Sequence, residues 1–266
     1  MPDFTAKDVQ ALRQATGAGM MDAKRALDEA GGDAEEAKKI LREKGLARMA
    51  GREDHDNAEG AVAIGTHAET AVVVELKCET DFVAKSEAFM QLVQDIADAV
   101  AIDGEAGLEA YKDTIDDLKV TLKENVQIGR RAKLDLRPGE LFDTYLHRQD
   151  GRGVNGVIVA LSGGSQELAH DIAIHVAFTK PDYLRREDVP AEMVDEERAT
   201  LRKISQAEGK PAAALDKIVE GRLNAWYKER VLLEQPFVRD EKQTVAQLAD
   251  GNNAEVVGFA QVYIGR

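Results

Sequence analysis

The run Ala71-Val-Val-Val-Glu-Leu76 opens almost directly onto Cys78-Glu-Thr-Asp-Phe-Val-Ala-Lys85, and this junction decides how the chain is read. The β-branched residues of the first stretch suit a pleated, half-buried surface and predict a buried strand. A helix is predicted behind it, because Ser86–Val100 places Phe89, Leu92, Val93, Ile96 and Val100 on one face. The connection between strand and helix therefore carries a carboxylate and a large ring side by side. Loops held by rigid elements are where binding groups concentrate. Two readings stand at this point. In one, Asp81 caps a helix and Phe82 fills the core. In the other, Phe82 enters a crevice on a neighbouring protein while Asp81 competes for that neighbour's polar contacts.

Upstream of the junction, Gly60–Leu76 reads as two strands, so the unit is strand–strand–helix. The same order recurs later. Leu141–Leu161 again reads as two strands, and Ser165–Phe178 follows as a helix with Leu168, Ile172, Ile174 and Val176 apolar. Two related α+β subdomains result, each with an antiparallel sheet covered on one face. Asp103–Lys123 is helical in periodicity through Leu108, Tyr111, Ile115 and Leu118. Val189–Glu208 and Ala212–Trp226 read as two helices broken at Gly209-Lys-Pro211. Their apolar seam of Val194, Leu201, Ile204, Leu215, Ile218 and Trp226 predicts a coiled-coil-like helical hairpin. A last strand, Glu255–Ile264, returns to the core.

The first fifty residues follow a different pattern. Thr5 is an N-cap with Asp8 in the first turn, and Val9, Leu12 and Ala15 mark one face. Gly17 and Gly19 break the pattern as a tight turn. Met20, Ala23 and Leu27 lie on one side of a second helix that stops at a left-handed Gly31-Gly32. Asp33 and Glu36 form a capping box for a third helix, with Ala37, Ile40 and Leu41 facing in. Such a three-helix module resembles the ubiquitin-associated type, whose usual task is docking on another protein. The chain thus divides into a three-helix module (1–54), one core subdomain (55–140), a second core subdomain (141–186 and 229–266) and an inserted hairpin (187–228).

Composition narrows the function classes. The formal net charge of -14 disfavours direct nucleic-acid binding, which needs clustered Lys and Arg. Lys38, Lys39, Arg42, Lys44 and Arg48 do form a basic stripe on the third helix, read either as a solvated face or as a docking surface for an acidic partner. A single cysteine, Cys78, excludes an internal disulfide. No signal segment is recognised, and the longest apolar runs are too short to span a bilayer, so no membrane role and a cytoplasmic location are expected.

Enzyme-like patterns fall away one by one. Gly151-Arg-Gly-Val-Asn-Gly156 matches G-x-G-x-x-G by letter, yet it lies between strands rather than ahead of a helix, and so reads as a hairpin turn. His170 and His175 lack the spacing of a zinc-binding pair, so no metal site is expected. The chain has no GxxxxGK[ST] phosphate cradle, and Ser162-Gly-Gly-Ser165 lacks a nucleophile-elbow context. No cofactor is expected.

Thr16-Gly-Ala-Gly-Met-Met-Asp-Ala-Lys-Arg-Ala-Leu27 followed by the Cys78–Lys85 stretch resembles the bacterial elongation factor Ts family. His175-Val-Ala-Phe-Thr-Lys-Pro181 resembles that family's HVA..KP pattern. Val219-Glu-Gly-Arg222 with Gln235-Pro-Phe-Val238 resembles its EGR…QPFV pattern. The matches run in order along nearly the whole chain. The resemblance implies a guanine-nucleotide exchange factor in translation elongation that performs no covalent chemistry. Its implied partner is elongation factor Tu, GDP-bound or nucleotide-free. It further implies that Thr80, Asp81, Phe82 and Val83 displace Mg²⁺ from the partner's site. Arg13, Met20 and Met21 are implied contacts to the partner's nucleotide-binding domain, with bundle core as the other reading for the methionines. Tyr145, His147 and Gly156 resemble a Y.H…G pattern that faces another partner domain, and for His147 a surface or capping role stands equally. His175 reads as a satisfied core histidine and Trp226 as packing. The turn Arg148–Gly153 is longer than usual for the family. With an end at Arg266, a C-terminal helical extension of some members is expected to be missing. Self-association through the hairpin is left open. A non-catalytic adaptor, or a hydrolase using scattered Asp and His, are the rival classes.

Overall fold

The computed structural model describes residues 4–16, 18–50 and 56–265. It is an α+β protein built on two three-stranded antiparallel sheets. Strands β1 (Glu59–His67), β2 (Thr70–Cys78) and β3 (Gln127–Asp135) form the first, in the order β1-β2-β3. Strands β4 (Glu140–Gln149), β5 (Arg152–Gly163) and β8 (Ala254–Tyr263) form the second, in the order β4-β5-β8. A two-stranded ribbon of β6 (Pro236–Phe237) and β7 (Asp240–Thr244) flanks it.

Period-two alternation explains how the sheets stack. From β2, Val72, Val74 and Leu76 point toward helix α5 (Glu87–Asp103) and meet Phe89, Val93 and Ile96. The alternate residues Ala71 and Val73, with Val62 of β1, point the other way, onto Ile158 and Val262 of the second sheet. On β5, Val157, Val159 and Leu161 pack under helix α8 (Gln166–Thr179), while Ile158 faces the first sheet. Helix, sheet, sheet and helix are therefore layered, and the central strands are apolar on both faces. Gly156 permits the sheets to approach: a Cβ there would lie 2.6 Å from Val73 Cγ1 and 2.9 Å from Val62 Cγ1. The resemblance sent Gly156 toward a partner. The structure puts it against the protein's own first sheet.

The N-terminal helices α1 (Ala6–Thr16), α2 (Met20–Glu29) and α3 (Ala34–Ala50) close around Val9, Leu12, Ala23, Ala26, Leu27, Ala37 and Leu41. Asp33 caps α3 by accepting from Glu35 N and Glu36 N at 2.9 and 3.0 Å. Helix α2 ends as expected, with Gly31 and Gly32 at positive φ and Gly32 N donating to Leu27 O. Met20 departs from expectation: Ala23, Ala26 and Leu27 set the buried face and leave Met20 50% exposed. Arg48 of the expected basic stripe, Gly17, and the segment 51–55 lie outside what is described of side chains or backbone.

Between α5 and β3 run α4's successors α6 (Glu105–Glu109) and α7 (Lys112–Leu122), where α4 is the short helix Asp81–Ala84. Arg42 of α3 pairs with Asp113 and Asp117 of α7, which seats the N-terminal helices on the first core unit. The hairpin is made of α9 (Ala191–Ala207) and α10 (Leu215–Arg230). Its seam differs from expectation: Val219 and Leu223 are buried with Leu215, Ile218 is only half-buried, and Ile204 is exposed. A final helix, α11 (Val245–Gly251), precedes β8, and no described helix is long and apolar enough to cross a membrane. Strand β3 and the segment containing β7 and α11 were not anticipated.

Candidate partner-docking site

Where β2 ends, the chain turns through Glu79 and Thr80 into α4. Thr80, not Asp81, is the cap: its backbone is extended and its hydroxyl accepts from Val83 N. An extended Thr whose oxygen meets an otherwise unpaired helical N–H is the ordinary N-cap arrangement. Asp81 takes the first helical position, where a carboxylate sits well against the helix's positive end. Lys85 Nζ lies 2.9 Å from Asp81 Oδ2, and that hydrogen bond holds the Asp81 carboxyl below its ordinary range.

Phe82 resolves the two readings of this turn in one respect. Its side chain is 84% exposed, more than any other large hydrophobic residue described, so it does not fill the core. Val83, next along, turns inward and packs on the α5 cluster. Thr80 and Val83 thus fasten the turn from inside, and Asp81 and Phe82 face outward. Ser86 closes the motif by donating to Val83 O and capping α5 through Phe89 N. Cys78 lies buried at the end of β2. Desolvation pushes its thiol up to about 12, so it is an inert packing group rather than a nucleophile.

One residue at this turn escaped sequence reasoning. Glu124, in the connection between α7 and β3, accepts from Glu79 N at 3.1 Å and Thr80 N at 3.2 Å through one oxygen. Its other oxygen accepts from the Thr80 hydroxyl. Asn125 N in turn donates to Glu79 Oε1 at 2.7 Å. No local spacing announces such a partnership, since its members stand 44 to 46 residues apart.

Tyr145 and His147 occupy alternate positions of β4 and so share a face. Tyr145 Oη and His147 Nδ1 are 3.2 Å apart, with the rings stacked at 6.2 Å. His170 of α8 meets the edge of Tyr145 and pairs with Asp143 at 3.1 Å. The β4–β5 turn beyond them holds Asp150, which takes Lys85 at 3.2 Å. Lys85 therefore joins the Phe82 turn to the strand pair that carries His147. Gly151 and Gly153 lie in this hairpin, as its setting between two strands predicted. Arg13, Met20 and Met21 sit apart on α1 and α2; all three are exposed, Met21 at 65%.

The HVA and QPFV patterns meet in the core. His175 Nε2 donates to Gln235 Oε1 at 2.9 Å, and His175 Nδ1 accepts from Val238 N at 3.3 Å. Burial lowers the histidine's affinity for a proton, and both ring nitrogens are satisfied in the neutral form. This is a structural histidine. Among the described residues, no group of three or more His, Cys, Asp or Glu is arranged to hold a metal ion.

Comparison with known proteins bears on the chain as a whole. A family model described as elongation factor TS matches residues 79–266. An elongation factor Ts from Renibacterium salmoninarum is 44% identical over 280 residues, covering all of both chains. One from Kineococcus radiotolerans is 44% identical over 277 residues, again with both chains fully covered. One from Paenarthrobacter aurescens is 43% identical with the same coverage.

Proposed function

The chain belongs to the elongation factor Ts family, and from that place in translation elongation we propose that it is a guanine-nucleotide exchange factor for elongation factor Tu. The observation that carries the proposal is Phe82, held outward on a one-turn helix with Asp81 beside it. A folded protein gains nothing for its own core from a ring left in water. The ring is available to a partner.

In this reading the factor binds the Tu·GDP complex and stabilises a state whose nucleotide site is damaged. Phe82 enters between partner helices, and burying such a ring contributes about 1.5–3 kcal/mol. Asp81 acts on polar groups near the partner's Mg²⁺, either by hydrogen bonding or by charge repulsion. Loss of that ion removes the main counter-charge of the GDP phosphates. Arg13, Met20 and Met21 contact the partner's nucleotide-binding domain, and Tyr145 and His147 contact another partner domain. Linkage fixes the rest. Whatever factor the protein takes from GDP affinity, GDP takes from the protein's affinity, so an incoming nucleotide ejects it and the cycle turns over. No bond is made or broken by the protein itself.

The test is release of fluorescent GDP from elongation factor Tu, with and without the protein, and with an Asp81→Ala/Phe82→Ala double variant. The wild type is expected to speed release by orders of magnitude, and the variant to lose most of that acceleration while still binding. Binding by the wild type with no change in release would overturn the exchange reading and leave an adaptor in its place.

A further inference from the structure

Resting on the exchange reading above, we propose that Glu124 is a positioning residue for Asp81 and Phe82, its carboxylate fixing the turn that aims them at the partner. Helix α4 has four residues. A single turn gains too little from its own hydrogen bonds to persist alone, so its direction is set by what holds its ends. The exposed ring of Phe82 has little packing to orient it, and the backbone direction of α4 therefore sets where the ring points.

Glu124 holds the leading end through three donors. The Glu79 and Thr80 amides share one of its oxygens, and the Thr80 hydroxyl binds the other. The last contact has a second effect. A hydroxyl that gives its hydrogen to Glu124 turns a lone pair toward Val83 N, which it meets at 3.4 Å. Glu124 thereby orients the cap of α4 as well as its entry. Asn125 N, bonded to Glu79 Oε1, locks the same two segments in the reverse direction. The trailing end is held separately by Ser86. Glutamine offers one acceptor oxygen instead of two and places a donating carboxamide NH2 against either the amides or the hydroxyl. Alanine offers nothing.

The experiment uses the full chain and GDP release from elongation factor Tu, measured over a range of factor concentration. Wild type, Glu124→Ala, Glu124→Gln, Phe82→Ala and Glu124→Ala/Phe82→Ala are compared. Loosened geometry at a remote support costs up to roughly a hundredfold, so Glu124→Ala is expected to lower the maximal rate about ten- to hundredfold. The half-saturating concentration should move little, and Glu124→Gln should recover part of the rate. In the Phe82→Ala background the further effect of Glu124→Ala should largely vanish, because a support matters only through what it supports. A wild-type maximal rate in Glu124→Ala overturns the proposal, and so do effects that simply multiply in the double variant. Should Glu124→Ala fail to fold, the same comparison is made with Glu124→Gln. If the wild type itself does not accelerate release, the exchange reading has failed. Glu124 is then judged by hydrogen exchange at the Thr80 and Val83 amides: faster exchange in the variant keeps its positioning role, and unchanged exchange removes it.

Discussion

Replacing Gly156 with alanine tests the stacking of the two sheets directly. The added Cβ would sit 2.6 Å from Val73 Cγ1, 2.9 Å from Val62 Cγ1 and 3.3 Å from Ile64 Cγ1. Real Cβ atoms essentially never approach within 3.0 Å, so the first two neighbours must shift, while Ile64 need give only a few tenths of an ångström. Both are buried β-branched residues of another sheet, with restricted χ1, and cannot simply swing aside. Overpacking of this kind costs about 1–3 kcal/mol. Val73→Ala, made alone, loses two methyl groups at ~0.8 kcal/mol each plus a cavity term, about 2–3 kcal/mol in all. Combined, the two changes should relieve each other, and the double variant should be less destabilised than the sum by about 0.5–3 kcal/mol. Thermal unfolding followed by circular dichroism reads this out, with each kcal/mol moving the midpoint by about 2–4 °C for a chain of roughly this size. Strict additivity of the two changes would refute the internal role assigned to Gly156.

Two further outcomes follow from buried titratable groups. His175 holds its proton less tightly when folded than its ordinary 6.5, so below that pH the unfolded chain takes up more protons. Stability should therefore be lost as pH falls through 6.5 toward the lowered folded value, and His175→Asn should flatten that part of the melting-temperature profile; an unchanged profile would contradict the burial argument. Cys78, with its thiol pushed up to about 12, should resist a thiol reagent at pH 8 until the protein unfolds, and rapid labelling of the folded form would show the site to be open.

How much of this was legible in the sequence depends on whether the signal was local. The β2–α5 pair was plain because Val72, Val73 and Val74 sit beside a helix whose apolar period is complete. Strand β3 was hidden because Arg130, Arg131 and Lys133 interrupt its apolar residues, and because Arg130 turns back to the buried Glu75. Met20 looked inward by spacing, yet Ala23, Ala26 and Leu27 already complete the buried face of α2. On the hairpin, one helical position separated the expected Ile218 from the buried Val219. At the candidate site, the ring and acid of Phe82 and Asp81 stood out as residues, but their outward direction did not. That direction comes from Thr80 as cap and from Glu124, a contact made by the tertiary fold alone.

The second sheet also carries a timetable. Its central strand β5 pairs with β8, Asn155 opposite Tyr263 and Gly163 opposite Ala254, and the whole helical hairpin is encoded between them. On a ribosome adding ~5–20 residues per second, the roughly hundred residues separating these partners take about 5–20 s to appear. The first sheet has all its strands by Asp135 and can close early. Through that interval the emerging chain holds Val62 and Val73 ready, while Val262, which completes their shared core, has yet to be made. The apolar face of the first sheet, which β5 meets first through Ile158, is therefore completed only once β8 has been synthesised.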